Sequence, residues 1–340
     1  MIKQFLCKLL PIFLLSFAQI AGMTELVRSQ AVSQQQSNQR EKIAKLIQRL
    51  KTDNNIERYK AADELHELGA AAKSVAVPQL IPLLKDPNPD VRGAAIYTLG
   101  SMGSVAKSAV PQLVPFLKDS NPALRQAAGL GLGNMKESAQ SAVPQLISLL
   151  KDPNPDVKIA AAYVLARVGD AAKPAIPQLL KLFKDPDPDV RLSAGSALGG
   201  LAQSAQSAQV VIPQLVSFLK DTDPLVRAYT VYTLGLMGGH ARSTIPQLIP
   251  LLKDSSPEVR QYVVEVLGRM GTLAKSTIPQ LVLRLKDSNP LVRKYTVFAL
   301  GQMGESGKAT IPQLIPLLKD PDQNVASAVD SVLKKLGYQQ

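Results

Sequence analysis

Eight Pro-Gln-Leu triplets, beginning at Pro78, Pro111, Pro144, Pro177, Pro213, Pro246, Pro279 and Pro312, punctuate the chain at steps of 33 residues, apart from one step of 36. A fixed period of this size marks a solenoid, in which each unit buries its apolar face only against its neighbours. The period therefore overrides the prior, set by 340 residues, of about two globular domains. The core must be built from small aliphatic residues, because the chain is 46% hydrophobic, only 4% aromatic and contains no Trp.

One unit shows the physics. In PQLIPLLKDPNPDVRGAAIYTLGSMGSVAKSAV the first helix runs from about Pro78 to Lys85, with Pro in its first turn, where a missing N–H costs little. Leu80, Ile81, Leu83 and Leu84 supply its buried side. A second proline (Pro82, Pro115, Pro250, Pro316) should kink that helix in four units. The next helix starts at Pro89 and runs to Met102, with Gly103 as its C-cap. Its N-cap column holds Asn54, Asn88, Asn121, Asn154, Asp187, Asp223, Ser256, Asn289 and Asp322, side chains able to accept from free helical N–H groups. Two helices per period make an αα-hairpin, and nine such units follow one another.

The phrase Leu-Lys-Asp-x-x-Pro-x-Val-Arg, then Ala-Ala and Leu-Gly-x-Met-Gly, resembles the short HEAT-like repeats of the phycobilisome-lyase type, from Ile43 to about Leu336. The resemblance implies an all-α fold, an αα-superhelix of about nine helical hairpins. It also implies that the second helices line the concave surface. The expected organisation is a signal segment at 1–31, cleaved near 18 or 31, a flexible polar leader at 32–40, and a solenoid at 41–337. Its units start near 41, 78, 111, 144, 177, 213, 246, 279 and 312. Lys3 and Lys8 before the apolar run Leu9 to Phe17 give the signal reading, and a short uncleaved anchor is the alternative. Cleavage would leave no stable membrane span. The expected location is therefore an exported compartment. Cys7, the one cysteine, precedes the apolar run, so a cleaved chain would have no thiol chemistry.

Two charged columns run through the units. Arg58, Arg92, Arg125, Lys158, Arg191, Arg227, Arg260 and Arg293 form one; Asp86, Asp119, Asp152, Asp185, Asp221, Asp254, Asp287 and Asp320 form the other. Pairing each cation with the Asp of the following unit completes eight pairs, from Arg58–Asp86 to Arg293–Asp320. An inter-unit ladder of charge-assisted hydrogen bonds is the expectation. The ladder, the lysines that end first helices (Lys51, Lys85 and their equivalents) and the cations of the inter-unit loops absorb most of the net charge of +12. The basic balance is therefore a weak pointer to nucleic acid, and none is expected as a partner.

Chemistry has little to work with. His66 and His240 are the only histidines, five units apart, so no metal site is expected, and no catalytic residue or cofactor site is assigned. In the second helix Val91, Ala95, Leu99 and Met102 form the core stripe, which leaves positions 93, 94, 96, 97 and 101 facing away. Tyr229, Tyr262 and Tyr295 share the column of Ala94. Tyr163, Tyr232 and Phe298 share that of Tyr97, and Glu265 and Arg269 lie nearby. These rings suit a groove for a protein or extended peptide on a monomeric scaffold with no enzymatic activity. The alternatives are rings that stack along the axis, a flat tetrapyrrole handled as by the bilin lyases, and, less favoured, nucleic acid. Between Leu201 and Pro213 the 36-residue step either changes the superhelical angle or only lengthens a surface loop.

Overall fold

A computed structural model describes residues 28–338, and the signal segment lies outside the described residues as far as residue 27. The chain divides into two compact units, Met1–Ala106 and Lys107–Gln340. Each is built of helical hairpins, and no strand occurs among the described residues. The repeats are numbered 1 to 9 from the unit starts given above.

Residues 28–50 form one helix that runs straight through the polar stretch at 32–40. That stretch is therefore helical where a flexible leader was expected. Gln, Ala and Arg are good helix formers, and the pairs Gln34–Asn38 at 3.0 Å and Glu41–Lys45 at 2.7 Å add local support. The second helix of repeat 1 is Asn55–His66.

Second helices then recur at Pro89–Ser101, Pro122–Asn134, Pro155–Val168, Pro188–Leu201, Pro224–Leu236, Pro257–Met270, Pro290–Gln302 and Gln323–Lys335. All nine N-cap side chains, from Asn54 to Asp322, accept backbone N–H groups of their own first turn. Gly103, Gly169, Gly238, Gly271 and Gly304 end their helices at φ of +53° to +78°, in the left-handed region that glycine occupies without a Cβ penalty. Lys136 stands in the same column at φ +51°.

The first helices are shorter than a continuous reading of Pro78–Lys85 implies, and the second proline is the reason. Where it is present, α-helix stops after four residues (Val110–Leu113, Ile245–Leu248, Ile311–Leu314) and a tighter 3-10 segment follows. Where it is absent, α-helix persists over Val143–Leu149, Ile176–Lys181 and Ile278–Arg284. Proline cannot donate the i→i−4 bond and its ring collides with that carbonyl, so the chain changes helix type there. In repeat 2 the helix begins earlier, Ala70–Leu80, and again ends just before Pro82.

At the 36-residue step the added residues enter a helix and not a loop. Ala205–Phe218 is continuous, capped by the Ser204 hydroxyl, and replaces the 3-10 turn that leads into repeats 3, 4, 5, 7 and 8. Ala202, in the glycine column, keeps φ at −85°.

Successive second helices meet over glycine. A Cβ built on Gly133, Gly199, Gly235, Gly268 or Gly301 would lie 2.4–2.7 Å from an atom of the following repeat. The Leu-Gly pair of the repeat phrase is therefore a packing device that lets neighbouring helices close.

Candidate functional site

The charged columns meet in two ways. In repeats 6 to 9 each guanidinium spans two turns. Arg227 donates through Nε and Nη2 to the Asp254 carboxylate at 2.8 and 2.7 Å, and through Nη1 to the Asp221 carbonyl at 2.7 Å. Arg260–Asp287 and Arg293–Asp320 repeat the geometry at the same distances. Lys158 reaches Asp185 at 2.6 Å. Each Asp also accepts the N–H two residues on, which shapes the turn before the second helix.

Elsewhere the expected pairing is replaced. Arg58 meets Asp90 at 3.3 Å instead of Asp86, and Arg125 meets Asp156 at 2.5 Å instead of Asp152. Asp152 is held by Lys118, and Asp221 by Lys184 instead of Arg191. The physical reason is competition. Asp90 and Asp156, in the first turn of the next second helix, offer a second carboxylate, and the lysine before the turn is close enough to take the column Asp. Arg191 keeps only the Asp185 and Pro186 carbonyls and lies 5.9 Å from the centroid of the Tyr229 ring. In the first unit Arg92 donates to the Asp86 and Pro87 carbonyls, and the Asp119 carboxylate of the second unit accepts from Asn121.

These contacts hold several carboxylates below their ordinary range. Burial pushes Asp254 and Asp287 up, but the hydrogen bonds from Arg227 and Arg260 and from the turn N–H groups outweigh it. For Asp320 the Arg293 hydrogen bond is the largest influence, again downward.

The aromatic columns sit on the second helices. Position 96 does not face away: Ile96, Gly129, Ala162, Gly195, Val231, Val264 and Val297 are all buried, and in repeat 2 Ala94 is buried as well. Adjacent second helices lie side by side, so these positions meet the neighbouring repeat; Gly129 approaches Ala160, for example. Tyr163, Tyr229, Tyr232, Tyr262, Tyr295 and Phe298 are half-buried, whereas Tyr97 is 46% exposed. Tyr232 meets Tyr262 edge-on at 5.9 Å and Tyr295 meets Phe298 at 6.5 Å. Arg167 lies over Tyr163, and Glu265 pairs with Arg269 at 2.6 Å. Burial, reinforced by Glu258, pushes the Tyr229 and Tyr262 phenols up. One ring pair, Tyr232–Tyr262, thus bridges neighbouring repeats, and the half-buried rings still present area to solvent.

His66 Nδ1 lies 3.0 Å from the Ser101 carbonyl and His240 Nε2 3.1 Å from that of Gln203. No group of three or more His, Cys, Asp or Glu that could hold a metal occurs among the described residues. Within them no helix is long and apolar enough to cross a membrane. One opening was not anticipated. A notch of about 330 Å³ lies between the second helices of repeats 3 and 4, beside the 46%-exposed Leu130.

The family described as HEAT repeats matches residues 43–114, 110–199, 143–220, 212–282 and 278–340. The chain belongs to the HEAT-repeat family. Among solved structures, the repeats are similar to importin beta crystallised in an ammonium sulfate condition, with a TM-score of 0.61 at 16% identity. Kap121p bound to Pho4p is similar at TM-score 0.59 and 14% identity. Both likenesses cover 86% of this chain but only 46% and 37% of the other, so the chain spans less than half of either, and at such identities they show the fold alone. No curated protein matches the chain.

Proposed function

We propose that this HEAT-repeat chain is an exported, non-enzymatic scaffold that binds a protein or extended peptide along its second-helix face. The observation that carries the reading is the run of half-buried rings Tyr229, Tyr232, Tyr262, Tyr295 and Phe298 on one face of repeats 6 to 8. Tyrosine offers rigid apolar area and a polar tip, and rings already packed against a ring or a guanidinium lose little freedom on binding. The comparison structure of Kap121p bound to Pho4p is a complex on the same fold, which lends the reading support by analogy.

Replacing Tyr229, Tyr262 and Tyr295 together by Ala should abolish capture of the partner from the exported compartment while the helical circular dichroism persists. Capture unchanged in a folded triple variant would remove this face from the function. The finer placement among phycobilisome-lyase-type repeats rests on the Leu-Lys-Asp…Val-Arg phrase. If the face handled pigment, added bilin would shift its absorbance on mixing, and on the scaffold reading it does not.

A further inference from the structure

The notch between repeats 3 and 4 is lined by Arg125, Gly129 and Leu130 from one second helix and by Ile159, Ala160 and Tyr163 from the next. The molecule contains its own template for what fills such a place. Ala160 occupies the helical position that Tyr229, Tyr262 and Tyr295 occupy in repeats 6 to 8. There two of the tyrosines each pack on a residue of the repeat before, at one of two positions. Arg191, at the position of Arg125, lies over the Tyr229 ring at 5.9 Å. Tyr232, at the position of Leu130, meets Tyr262 at 5.9 Å. Repeats 3 and 4 bring together the arginine of the first contact and, in Leu130, an apolar residue at the position of the second, and the tyrosine is replaced by a methyl group.

Arg125 supplies a second, independent sign. It is 9% exposed, and its Nη groups are tied to the Asp119 and Ser120 carbonyls and the Asp156 carboxylate. Its Nε is buried and has no hydrogen-bond partner, a condition shared by Arg191, the guanidinium with a tyrosine ring over it. By contrast, Arg227, Arg260 and Arg293 commit Nε to aspartate. A guanidinium held rigid on two sides presents its face to an aromatic ring without further ordering. Leu130, 46% exposed, is apolar area of the kind such a ring would cover. The next junction lacks this seat, since Lys158 replaces the arginine and is bound to Asp185.

We propose that the notch receives an aromatic side chain, tyrosine or phenylalanine, from the partner protein, in the place that Tyr229, Tyr262 and Tyr295 fill from within. The inference rests on the partner-binding reading and adds a second contact point of stated chemistry. Its test uses the full chain with labelled Leu and Ile methyl groups and p-cresol, the tyrosine side chain as a free molecule. Saturable shifts at Leu130 and Ile159, with isobutanol at least about tenfold weaker, are expected. Ala160→Tyr supplies the missing ring and should weaken p-cresol binding at least about tenfold, with the fold retained because three other repeats carry the same residue. Should that variant not fold, Leu130→Ser, at an exposed position, should weaken binding about threefold. Unchanged affinity in either folded variant, or shifts that do not saturate, overturns the inference. So do Leu130 shifts that follow protein concentration without probe, which would make a second copy the occupant. A folded Ala160→Tyr chain that loses p-cresol yet captures partner as the wild type does also overturns it, and leaves the reading tested by the triple tyrosine variant standing.

Discussion

Repeats 3 to 5 and repeats 6 to 9 belong to one compact unit and share one phrase, yet they hold their turns together differently. In the later repeats Arg227, Arg260 and Arg293 each clamp the next aspartate with two hydrogen bonds, and the side chains of both partners are nearly buried, as with Asp287 at 3% exposure. In the earlier ones Lys158–Asp185 is comparably buried but rests on a single lysine contact, Arg125 reaches Asp156, which is 61% exposed, and Arg191 finds no carboxylate. A buried pair is rigid but intolerant of losing a partner, whereas an exposed pair contributes little. Tyrosines fill this position from Tyr229, which lies against the unclamped Arg191, to Tyr295, whereas the notch between repeats 3 and 4 lies open. Junctions closed by both arginine clamps and tyrosines are finished from within; the junction of repeats 3 and 4 is not.

The sharpest way to break this contrast is to remove one carboxylate from each region. Asp287→Ala should cost about 3–5 kcal/mol, because it removes a 3%-exposed carboxylate that takes two hydrogen bonds from Arg260 and one from the turn N–H. Asp156→Ala removes a 61%-exposed carboxylate with one bond to the equally buried Arg125 and should cost less. Hydrogen exchange suits the measurement, since repeats can open locally and a single unfolding transition is not assured. Equal protection loss in the two variants would erase the distinction. Acid should act on the same residues. Asp254, Asp287 and Asp320 have folded values held below the unfolded carboxyl value, so their stabilisation is complete well above that value and drains as pH falls through the folded one. Protection in repeats 6 to 9 should therefore hold at pH 6 and fall below about pH 4. Asp287→Asn should flatten that fall, and a profile unchanged by it would show that the pair does not control acid stability.

Much of this was readable in the chain. The period announced an array of helical hairpins, and the cap column from Asn54 to Asp322 placed the start of each second helix, because both are local rules written in sequence. Local rules also failed where two groups competed for one partner. Nothing in a column alignment says whether Arg125 prefers Asp152 or Asp156, since the choice depends on where Lys118 ends up. Position 96 was misread for a related reason: one helical wheel cannot show that neighbours flank the helix on both sides. The notch was hidden because it is made by residues that are absent, Gly129 and Ala160, where other repeats carry Val or Tyr. Its trace in sequence was Leu130, an apolar residue in a column otherwise held mostly by tyrosine and polar groups.

Glycine offers the smallest and most discriminating comparison. At Gly268 a Cβ would lie 2.7 Å from the Ala299 Cα, and main chain cannot step aside as a flexible side chain can. Gly268→Ala should therefore cost about 1–3 kcal/mol through overpacking. At Gly129 the nearest atom to a built Cβ is the Ala160 Cβ at 3.6 Å, an ordinary contact. There the mid-helix entropy of glycine dominates, and Gly129→Ala should stabilise the protein by up to about 1 kcal/mol. Thermal unfolding of the two single variants measures both effects. Opposite signs are expected because main chain of repeat 8 blocks a Cβ at Gly268, while the helices of repeats 3 and 4, which close on each other further along at Gly133, leave ordinary contact distance at Gly129 beside the unfilled seat. A destabilised Gly129→Ala would mean that the seat is already closed.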